Sequence, residues 1–222
     1  MLVLFDIDGT MLASEGVGVR SIEEVGQVLF GKKFSLKDIP VGGRLDPLIW
    51  IDLCSKYGIA NAQSRHAEFK KTYIELLAKN IQQVKVEVLP GVRELLDLCS
   101  EQEHIKLGIV TGNYKETGQL KLEAGKIDIA LFETSAWGLD GQSRADLPAH
   151  AMQGYPGTTV LIGDTIHDVM SGTANGCKTI AVCTGSHNRS TLEAGNPDLL
   201  LEDLSDTEET FKWIMQFHNQ SV

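Results

Sequence analysis

The sequence predicts an α/β protein in which a doubly wound parallel sheet carries an inserted helical segment. Short apolar runs rich in Val, Ile and Leu lack polar alternation, which is typical of parallel strands covered on both faces. Amphipathic helical segments stand between these runs, and such alternation favours right-handed crossovers within one sheet. Between the first two runs, residues 14–83 show helical periodicity only. A normal crossover is far shorter, so this segment is predicted to be an insert.

Five apolar runs are predicted as strands. They are Leu2–Phe5, Ile105–Val110, Thr159–Ile162, Lys178–Val182 and a weaker run at Asp198–Leu201. Helices are predicted after Pro90-Gly91 and over about 115–124, 145–153, 167–175 and 206–218. The last is expected to start with a capping box, Ser205-x-x-Glu208, and to carry His218 at the end of its apolar face.

The insert contains three apolar stripes at helical spacing, which begin at Val19, Leu45 and Phe69. We expect residues 14–83 to form a small helical domain with its own core, lying as a lid over the tip of the first strand. Residues 1–13 and 84–222 are then expected to form the α/β domain.

Composition limits the classes of partner and compartment. The formal net charge of −10 over 222 residues argues against nucleic acid or an anionic membrane as the main partner. The four cysteines show no zinc-ligand spacing, and each lies among apolar neighbours. Neither a signal peptide nor a membrane-length apolar run is visible. We therefore expect a cytoplasmic protein, with monomer and homodimer both left open.

Small polar residues and carboxylates follow three of the predicted strands. In open α/β sheets, ligands bind at the carboxyl ends of the strands. The residues at those ends are Asp6, Asp8, Gly9 and Thr10 after the first strand, Thr111, Gly112 and Asn113 after the second, and Gly163, Asp164, Thr165 and Asp168 after the third. One such group is ordinary turn chemistry, whereas three at the same edge indicate a site.

The chemistry that suits these residues is phosphoryl transfer assisted by Mg2+. Mg2+ prefers hard oxygen ligands, and Asp6 and Asp164 could supply them from two strands. An Asp carboxylate is an established nucleophile toward phosphorus. A second carboxylate two residues on, Asp8, could protonate the leaving oxygen and then activate water. Thr111 and nearby backbone N–H groups could hold phosphoryl oxygens.

Three motifs resemble, in order and spacing, signature motifs of the haloacid dehalogenase-like superfamily. They are Asp6-Ile-Asp8-Gly9-Thr10, Val110-Thr111-Gly112-Asn113 and Gly163-Asp164-Thr165-x-x-Asp168. The helical insert looks like the C1-type cap of phosphoglycolate phosphatase-like members. The resemblance covers nearly the whole chain and implies a Rossmann-like α/β core that binds Mg2+.

Carried over residue by residue, the resemblance implies a role for each motif position. Asp6 would be the nucleophile that forms an aspartyl-phosphate, and Asp8 the general acid and base. Asp6, the backbone carbonyl of Asp8, and Asp164 would ligate Mg2+, with Asp168 supporting the network. Thr111 would bind the phosphoryl group, beside Gly112 and Asn113, while Gly9 and Thr10 would shape the first loop.

The chain departs from the family pattern where a lysine is usual, before the helix that leads to the last motif. Arg144 is the natural substitute there, and Lys115 is the competitor. A guanidinium pairs with both carboxylate and phosphoryl oxygens, although its fork differs from a compact ammonium. Within the insert, the Val41-Gly42-Gly43-Arg44 stretch is interpreted as a substrate loop in which Arg44 meets an anionic or polar part of the substrate.

The resulting hypothesis is a Mg2+-dependent phosphatase of a small phosphorylated metabolite. Two alternatives stay open. A sugar-phosphate mutase of the β-phosphoglucomutase type would keep the same aspartates, and a catalytically weakened phosphate-binding module would explain the arginine in place of lysine. Asp8 counts against a haloacid dehalogenase, which needs neither the second carboxylate nor the metal.

Overall fold

The computed structural model describes residues 1–217 and shows one six-stranded parallel sheet with helices on both faces, as predicted. The strands are β1 (Leu2–Phe5), β2 (Leu12–Ala13), β3 (Glu87–Val88), β4 (Lys106–Val110), β5 (Phe132–Ala136), β6 (Thr159–Gly163), β7 (Lys178–Val182) and β8 (Leu199–Leu201). The α-helices are α1 (Val17–Phe30), α2 (Asp46–Tyr57), α3 (Ala62–Asn80), α4 (Val92–Ser100), α5 (Lys115–Ala124), α6 (Asp146–Ala151), α7 (Ile166–Ala174), α8 (Arg189–Glu193) and α9 (Thr207–Met215).

The strand order of the large sheet is β5-β4-β1-β6-β7-β8. The chain therefore builds the sheet outward from β1 in one direction and then, starting with β6, in the other. This reversal opens a crevice at the carboxyl end of β1, where ligands bind in folds of this kind. Helices α4 and α9 pack together on one face, and α6 and α7 pack together on the other.

The unbroken apolar run of β1 is explained by burial on both faces. Val3 and Phe5 belong to the apolar cluster that contains α4 and α9. Leu2 and Leu4 point to the opposite cluster, with Leu147 of α6. A central strand of this kind needs no polar face, and that is why it shows no alternation.

Helices α1, α2 and α3 share an apolar cluster of their own. Ile22, Trp50, Phe69 and Tyr73 are among its buried members, and the core residue Tyr114 joins them. Two members of the predicted second stripe, Leu45 and Leu48, instead pack into the sheet cluster beside Leu2 and Leu4. The start of α2 is therefore fastened to the sheet, because its first apolar residues are buried there.

Two strand pairings were not predicted. β5 lies at the edge of the sheet beside β4, and its sequence Phe-Glu-Thr-Ser-Ala contains too few apolar residues to resemble a buried strand. β2 and β3 form a separate antiparallel pair in which Leu12 lies opposite Val88. With two residues in each strand, this pair is too short to show periodicity. It joins the two chain segments that lead into and out of the inserted helices.

The last helix starts within one residue of its predicted position, but the predicted capping box was wrong. α9 begins at Thr207, and the hydroxyl of Ser205 donates to Asp203 instead of capping the helix. A capping box occurs elsewhere, at Thr165 and Asp168 before α7. The predicted position of His218 on α9 lies outside the described residues. Across residues 1–217, no helix has both the length and the apolar character needed to cross a bilayer.

Candidate active site

The tip of β1 places the first two carboxylates at the crevice. The Asp6 side chain is only 10% exposed, whereas the Asp8 side chain is 41% exposed. Directly after Asp8 the chain turns at Gly9, whose φ is +77°. A Cβ at Gly9 would lie 2.7 Å from the Oδ2 atom of Asp164, so glycine is required for both conformation and space. The hydroxyl of Thr10 lies 3.5 Å from the other oxygen of Asp164.

Three buried carboxylates meet at the ends of β1 and β6. Asp6, Asp164 and Asp168 each offer an oxygen within 4.8 Å of the other two. Burial raises the pKa of Asp6 to about 6, against the attraction of Arg144. Burial, followed by repulsion from Asp6 and Asp168, raises the pKa of Asp164 to about 8. Burying several carboxylates together is unfavourable unless a cation neutralises them. Carboxylate oxygens are also the ligands that Mg2+ prefers, so these residues fit the predicted ion.

We expect the stability of the metal-free protein to depend on pH in a direction set by these carboxyls. Because both have a higher pKa in the folded chain than in the unfolded chain, folding binds protons between about pH 4 and pH 8. The added stability is complete below this window and is lost as the pH rises through it. The free energy of unfolding should therefore increase by about 1–2 kcal/mol between about pH 8 and pH 6.

Denaturant titrations in a chelating buffer at both pH values measure this difference. Millimolar Mg2+ should stabilise the protein more at the higher pH, since metal binding competes with protons. The Asp164→Asn variant is the matched control, because it removes a titrating carboxyl while keeping the shape of the side chain. A pH difference in that variant equal to the wild-type difference would contradict the assignment.

Arg144 is the cation that reaches Asp6. Its Nη2 atom lies 3.0 Å from Asp6 Oδ1, ion-pairs with Asp168, and donates to the carbonyl of Val110 at 3.2 Å. The guanidinium is buried; burial lowers its pKa, but the charges of Asp168 and Asp6 outweigh this effect and raise the pKa overall. Lys115 is exposed at the first position of α5. Of these two residues, Arg144 is therefore the one that contacts the Asp6 carboxylate.

Asp168 lies behind the cluster and holds it in place. One of its oxygens accepts from the Thr165 backbone N–H at 3.0 Å and from the Thr165 hydroxyl at 2.6 Å, while the other meets Arg144. The Asp168 side chain therefore has two contacts: one oxygen caps the start of α7, and the other orients the Arg144 guanidinium. The supporting role of Asp168 toward a metal ion stays a prediction.

The loop after β4 contacts Asp8 and the inserted segment. The Asn113 amide donates to Asp8 Oδ2 and to the Thr111 hydroxyl, both at 2.8 Å. The carbonyl of Gly112 accepts from the backbone N–H of Asp46 at 2.8 Å. A Cβ at Gly112 would lie 2.2 Å from the carbonyl oxygen of Arg44, so only glycine permits this approach.

Lys121 was not predicted to belong to the site. Its Nζ atom lies 2.6 Å from Asp8 Oδ2 and 2.7 Å from Asn113 Oδ1, and the residue is 4% exposed. A faint signal was present in the sequence: Lys121 shares the buried face of α5 with Thr117 and Leu122. A lysine among inward-facing residues needs a buried partner, since it is almost never fully buried unless paired.

Asp46 was also missed. It is buried at the start of α2 and accepts from the Tyr114 backbone N–H at 2.9 Å. Burial raises its pKa to about 6, against the attraction of Lys121. As a residue of the insert held by the start of α5, Asp46 links the two parts of the chain at the edge of the site.

The predicted substrate loop crosses the rim of the site, but Arg44 has another partner. Its Nε and Nη2 atoms lie 2.7 Å and 3.0 Å from the two carboxylate oxygens of Asp52 on α2. Gly43 has a φ of +67°, and a Cβ there would lie 2.8 Å from the Thr165 hydroxyl. The glycines therefore permit close approach to the strand tips, while the guanidinium of Arg44 forms an ion pair within the insert.

These residues surround one cavity of about 370 Å³ between the sheet and the inserted helices. Most predicted site residues line it: Asp6, Asp8, Gly9, Arg44, Thr111, Gly112, Asn113, Arg144 and Asp164. Thr10 and Asp168 lie behind the wall, where they contact Asp164 and Arg144. The volume falls in the range of pockets that hold small organic molecules.

Comparison with known proteins identifies relatives along nearly the whole chain. A family model described as haloacid dehalogenase-like hydrolase matches residues 3–182. Pyrophosphatase PpaX of Bacillus mycoides is 26% identical over 210 residues, covering 92% of this chain and 93% of the relative. A crystal structure of a hydrolase from Pseudomonas syringae aligns with a TM-score of 0.73 at 22% identity, covering 96% of this chain and 98% of that chain.

A second solved structure, of a predicted phosphoglycolate phosphatase from Haemophilus somnus, aligns with a TM-score of 0.72 at 20% identity. The alignment covers 95% of this chain and 97% of that chain. At such identities, the two structural similarities establish the fold.

Proposed function

Because this chain belongs to the haloacid dehalogenase-like hydrolase family and is an enzyme of that family, we propose that it is a Mg2+-dependent phosphatase. Its substrate is a small phosphorylated metabolite. The observation that carries this proposal is the meeting of Asp6, Asp164 and Asp168 with the Arg144 guanidinium at the carboxyl ends of β1 and β6. Pyrophosphatase PpaX, the relative described above, adds support for phosphorus chemistry.

In the proposed reaction, an oxygen of Asp6 attacks phosphorus, and the bond from phosphorus to the leaving oxygen breaks. Asp8 donates its proton to that oxygen and then takes a proton from water, which attacks the aspartyl-phosphate and releases phosphate from Asp6. Asp6, Asp164 and the backbone carbonyl of Asp8 would hold Mg2+. Bound there, the ion would offset negative charge on the phosphoryl oxygens. Thr111, with Gly112 and Asn113, would bind the phosphoryl group.

Arg144 takes the place of the usual lysine in this scheme. Its pairing with Asp6 and Asp168 supports a working cation beside the nucleophile and argues against a weakened binding module. The guanidinium would also lie near the transferring phosphoryl group and offset its charge.

We also propose that residues 14–83 act as a cap domain and that residues 1–13 and 84–222 act as the catalytic domain. The separate apolar cluster of α1, α2 and α3 supports this division, as does the β2–β3 pair at the two connections. Closure of the cap would exclude bulk water from the aspartyl-phosphate and would leave room for the single water molecule that hydrolyses it.

A panel of phosphate esters assayed with and without Mg2+ tests the proposal. We expect release of inorganic phosphate that requires Mg2+ and is abolished by a chelator. Product analysis with a hexose-1-phosphate separates the phosphatase from the mutase, because a mutase returns an isomeric sugar phosphate instead of free phosphate. Failure to release phosphate from any ester, including p-nitrophenyl phosphate, would sink the phosphatase assignment.

Lys121 is expected to position Asp8. Replacing Lys121 with methionine removes the ammonium that holds the Asp8 carboxylate at 2.6 Å. We expect kcat to fall by about 10- to 100-fold with a smaller change in KM, the scale found when a general acid–base group is disturbed. Steady-state kinetics measure the two constants separately.

Lys115→Met is the matched control, since Lys115 lies on the same helix but is exposed. It should leave both constants near their wild-type values. A Lys121→Met variant that folds and turns over at the wild-type rate would remove Lys121 from the site.

A further inference from the structure

The cavity between the sheet and the inserted helices has two chemically different sides. The carboxylates, Thr111 and Arg144 lie on the sheet side, where the phosphoryl group reacts in the proposed function. The opposite side is made by the insert and is largely apolar. Its apolar lining side chains are Val19, Ile22, Leu36, Val41, Ile49 and Tyr73.

The cations of the cavity wall are already neutralised. Among the described residues, the basic side chains that line it are Arg44, Lys121 and Arg144. Each has a carboxylate partner: Arg44 pairs with Asp52, Lys121 with Asp8, and Arg144 with Asp6 and Asp168. Three further acidic residues, Glu15, Asp46 and Asp164, also line the cavity.

This arrangement disfavours a second negative charge on the substrate. A carboxylate or second phosphate on the leaving group would lose water against apolar side chains and would find no cation that lacks a carboxylate partner among the lining residues. Burying an ionised group without a partner is strongly unfavourable. An uncharged organic group with some apolar surface meets no such penalty and gains from burial.

On the basis of the proposed function, we propose that this enzyme takes phosphate monoesters whose leaving group is uncharged and partly apolar. Asp52 is the residue that sets this specificity. Asp52 does not line the cavity, whereas Arg44 does. The two carboxylate oxygens of Asp52 accept hydrogen bonds from Nε and Nη2 of Arg44. Asp52 thereby cancels the charge that would otherwise attract an anionic leaving group. It acts through Arg44 and is a positioning residue.

Two nearly isosteric esters test the substrate class. Hydroxyethyl phosphate and phosphoglycolate differ in one end group, a neutral CH2OH in the first and a carboxylate in the second. We expect kcat/KM for hydroxyethyl phosphate to be at least about tenfold higher, a difference in transition-state binding of about 1.4 kcal/mol. An equal or reversed preference overturns the inference and leaves the phosphatase standing. No hydrolysis of either ester or of p-nitrophenyl phosphate overturns the proposed function itself.

The Asp52→Asn variant tests the residue. It removes the negative charge while keeping a hydrogen-bond acceptor for Arg44, and the pair is partly exposed, so the fold should tolerate it. We expect the ratio of kcat/KM for phosphoglycolate to that for hydroxyethyl phosphate to rise at least about fivefold, because a cation at the wall attracts the carboxylate. A merely structural role for Asp52 would lower both values together and leave the ratio unchanged, which overturns the assignment.

Glu68→Gln is the matched control. Glu68 forms a comparable ion pair with Arg65 on α3, and neither residue lines the cavity. This variant should leave the ratio of the two substrates unchanged. A rise equal to that of Asp52→Asn would mean that overall charge, and not the freed Arg44, causes the effect.

Discussion

We expect Asp6→Asn to lower kcat for phosphate-ester hydrolysis by at least about 1000-fold, the scale seen when an enzyme loses its nucleophile. The amide keeps the size of the side chain but is a far weaker nucleophile and a weaker metal ligand. The position is held by β1 and by contact with Arg144, so the variant should fold. Its free energy of unfolding in metal-free buffer should not fall, because one of the repelling buried carboxylates is gone.

Two measurements check this expectation. Phosphate release gives the loss of kcat, and acid quenching with a radiolabelled ester detects the phosphoenzyme, which should be absent in the variant. Asp97→Asn is the matched control, since Asp97 is exposed on α4 far along the chain from the motifs. A labelled phosphoenzyme that persists in Asp6→Asn would move the nucleophile to another residue.

Arg144→Met should have the second large effect, on both stability and turnover. The buried guanidinium neutralises Asp6 and Asp168, and its removal leaves buried carboxylates without their cation. Breaking a buried pair in this way costs about 3–5 kcal/mol. We expect a melting temperature lower by about 10 °C for a chain of this size. We also expect a loss in kcat of at least about 100-fold, since charge near the phosphoryl group is lost.

Arg144→Lys separates charge from shape. It restores the cation that the family pattern usually places here, so stability and turnover should both recover toward the wild-type values. The fork geometry would be missing, and therefore recovery should be incomplete. Thermal unfolding and steady-state kinetics measure the two effects.

The matched control for Arg144 is Arg189→Met, which breaks an exposed ion pair with Glu202. It should leave the free energy of unfolding close to the wild-type value, because exposed ion pairs contribute little to stability. Wild-type stability and turnover in Arg144→Met would show that the carboxylates do not need this cation.

The α/β class, the parallel sheet and membership in the hydrolase family were all predictable, and each is confirmed. These features were predictable because each depends on residues that are close together in the sequence. A strand buried on both faces must be apolar throughout, as β1 is, and carboxylates directly after such a strand cannot serve its packing. Asp6, Asp8 and Asp164 therefore stood out in the sequence before any contact was known.

The contacts of basic residues were less accessible from the sequence. Lys121 meets Asp8 across 113 positions of chain, and nothing near either residue indicates the other. Arg44 was interpreted as a substrate contact because it follows two glycines, but α2 brings Asp52 within 2.7 Å of it. For both Lys121 and Arg44, the sequence shows a positive charge, but the carboxylate that pairs with it depends on how the helices pack.

The amino-acid sequence by itself pointed to the candidate reacting groups, since the Asp6 and Asp8 carboxylates after an apolar strand do not belong to the apolar cluster that buries Ile7 between them. It also predicted which segments form the parallel sheet and which form the helical insert, because their hydrophobic periods differ. Only the tertiary structure decided which cation neutralises which carboxylate, and therefore which charges the cavity presents to a substrate. Electrostatic attraction depends on distance through space, and residues far apart along the chain become neighbours only when the helices and the sheet have packed.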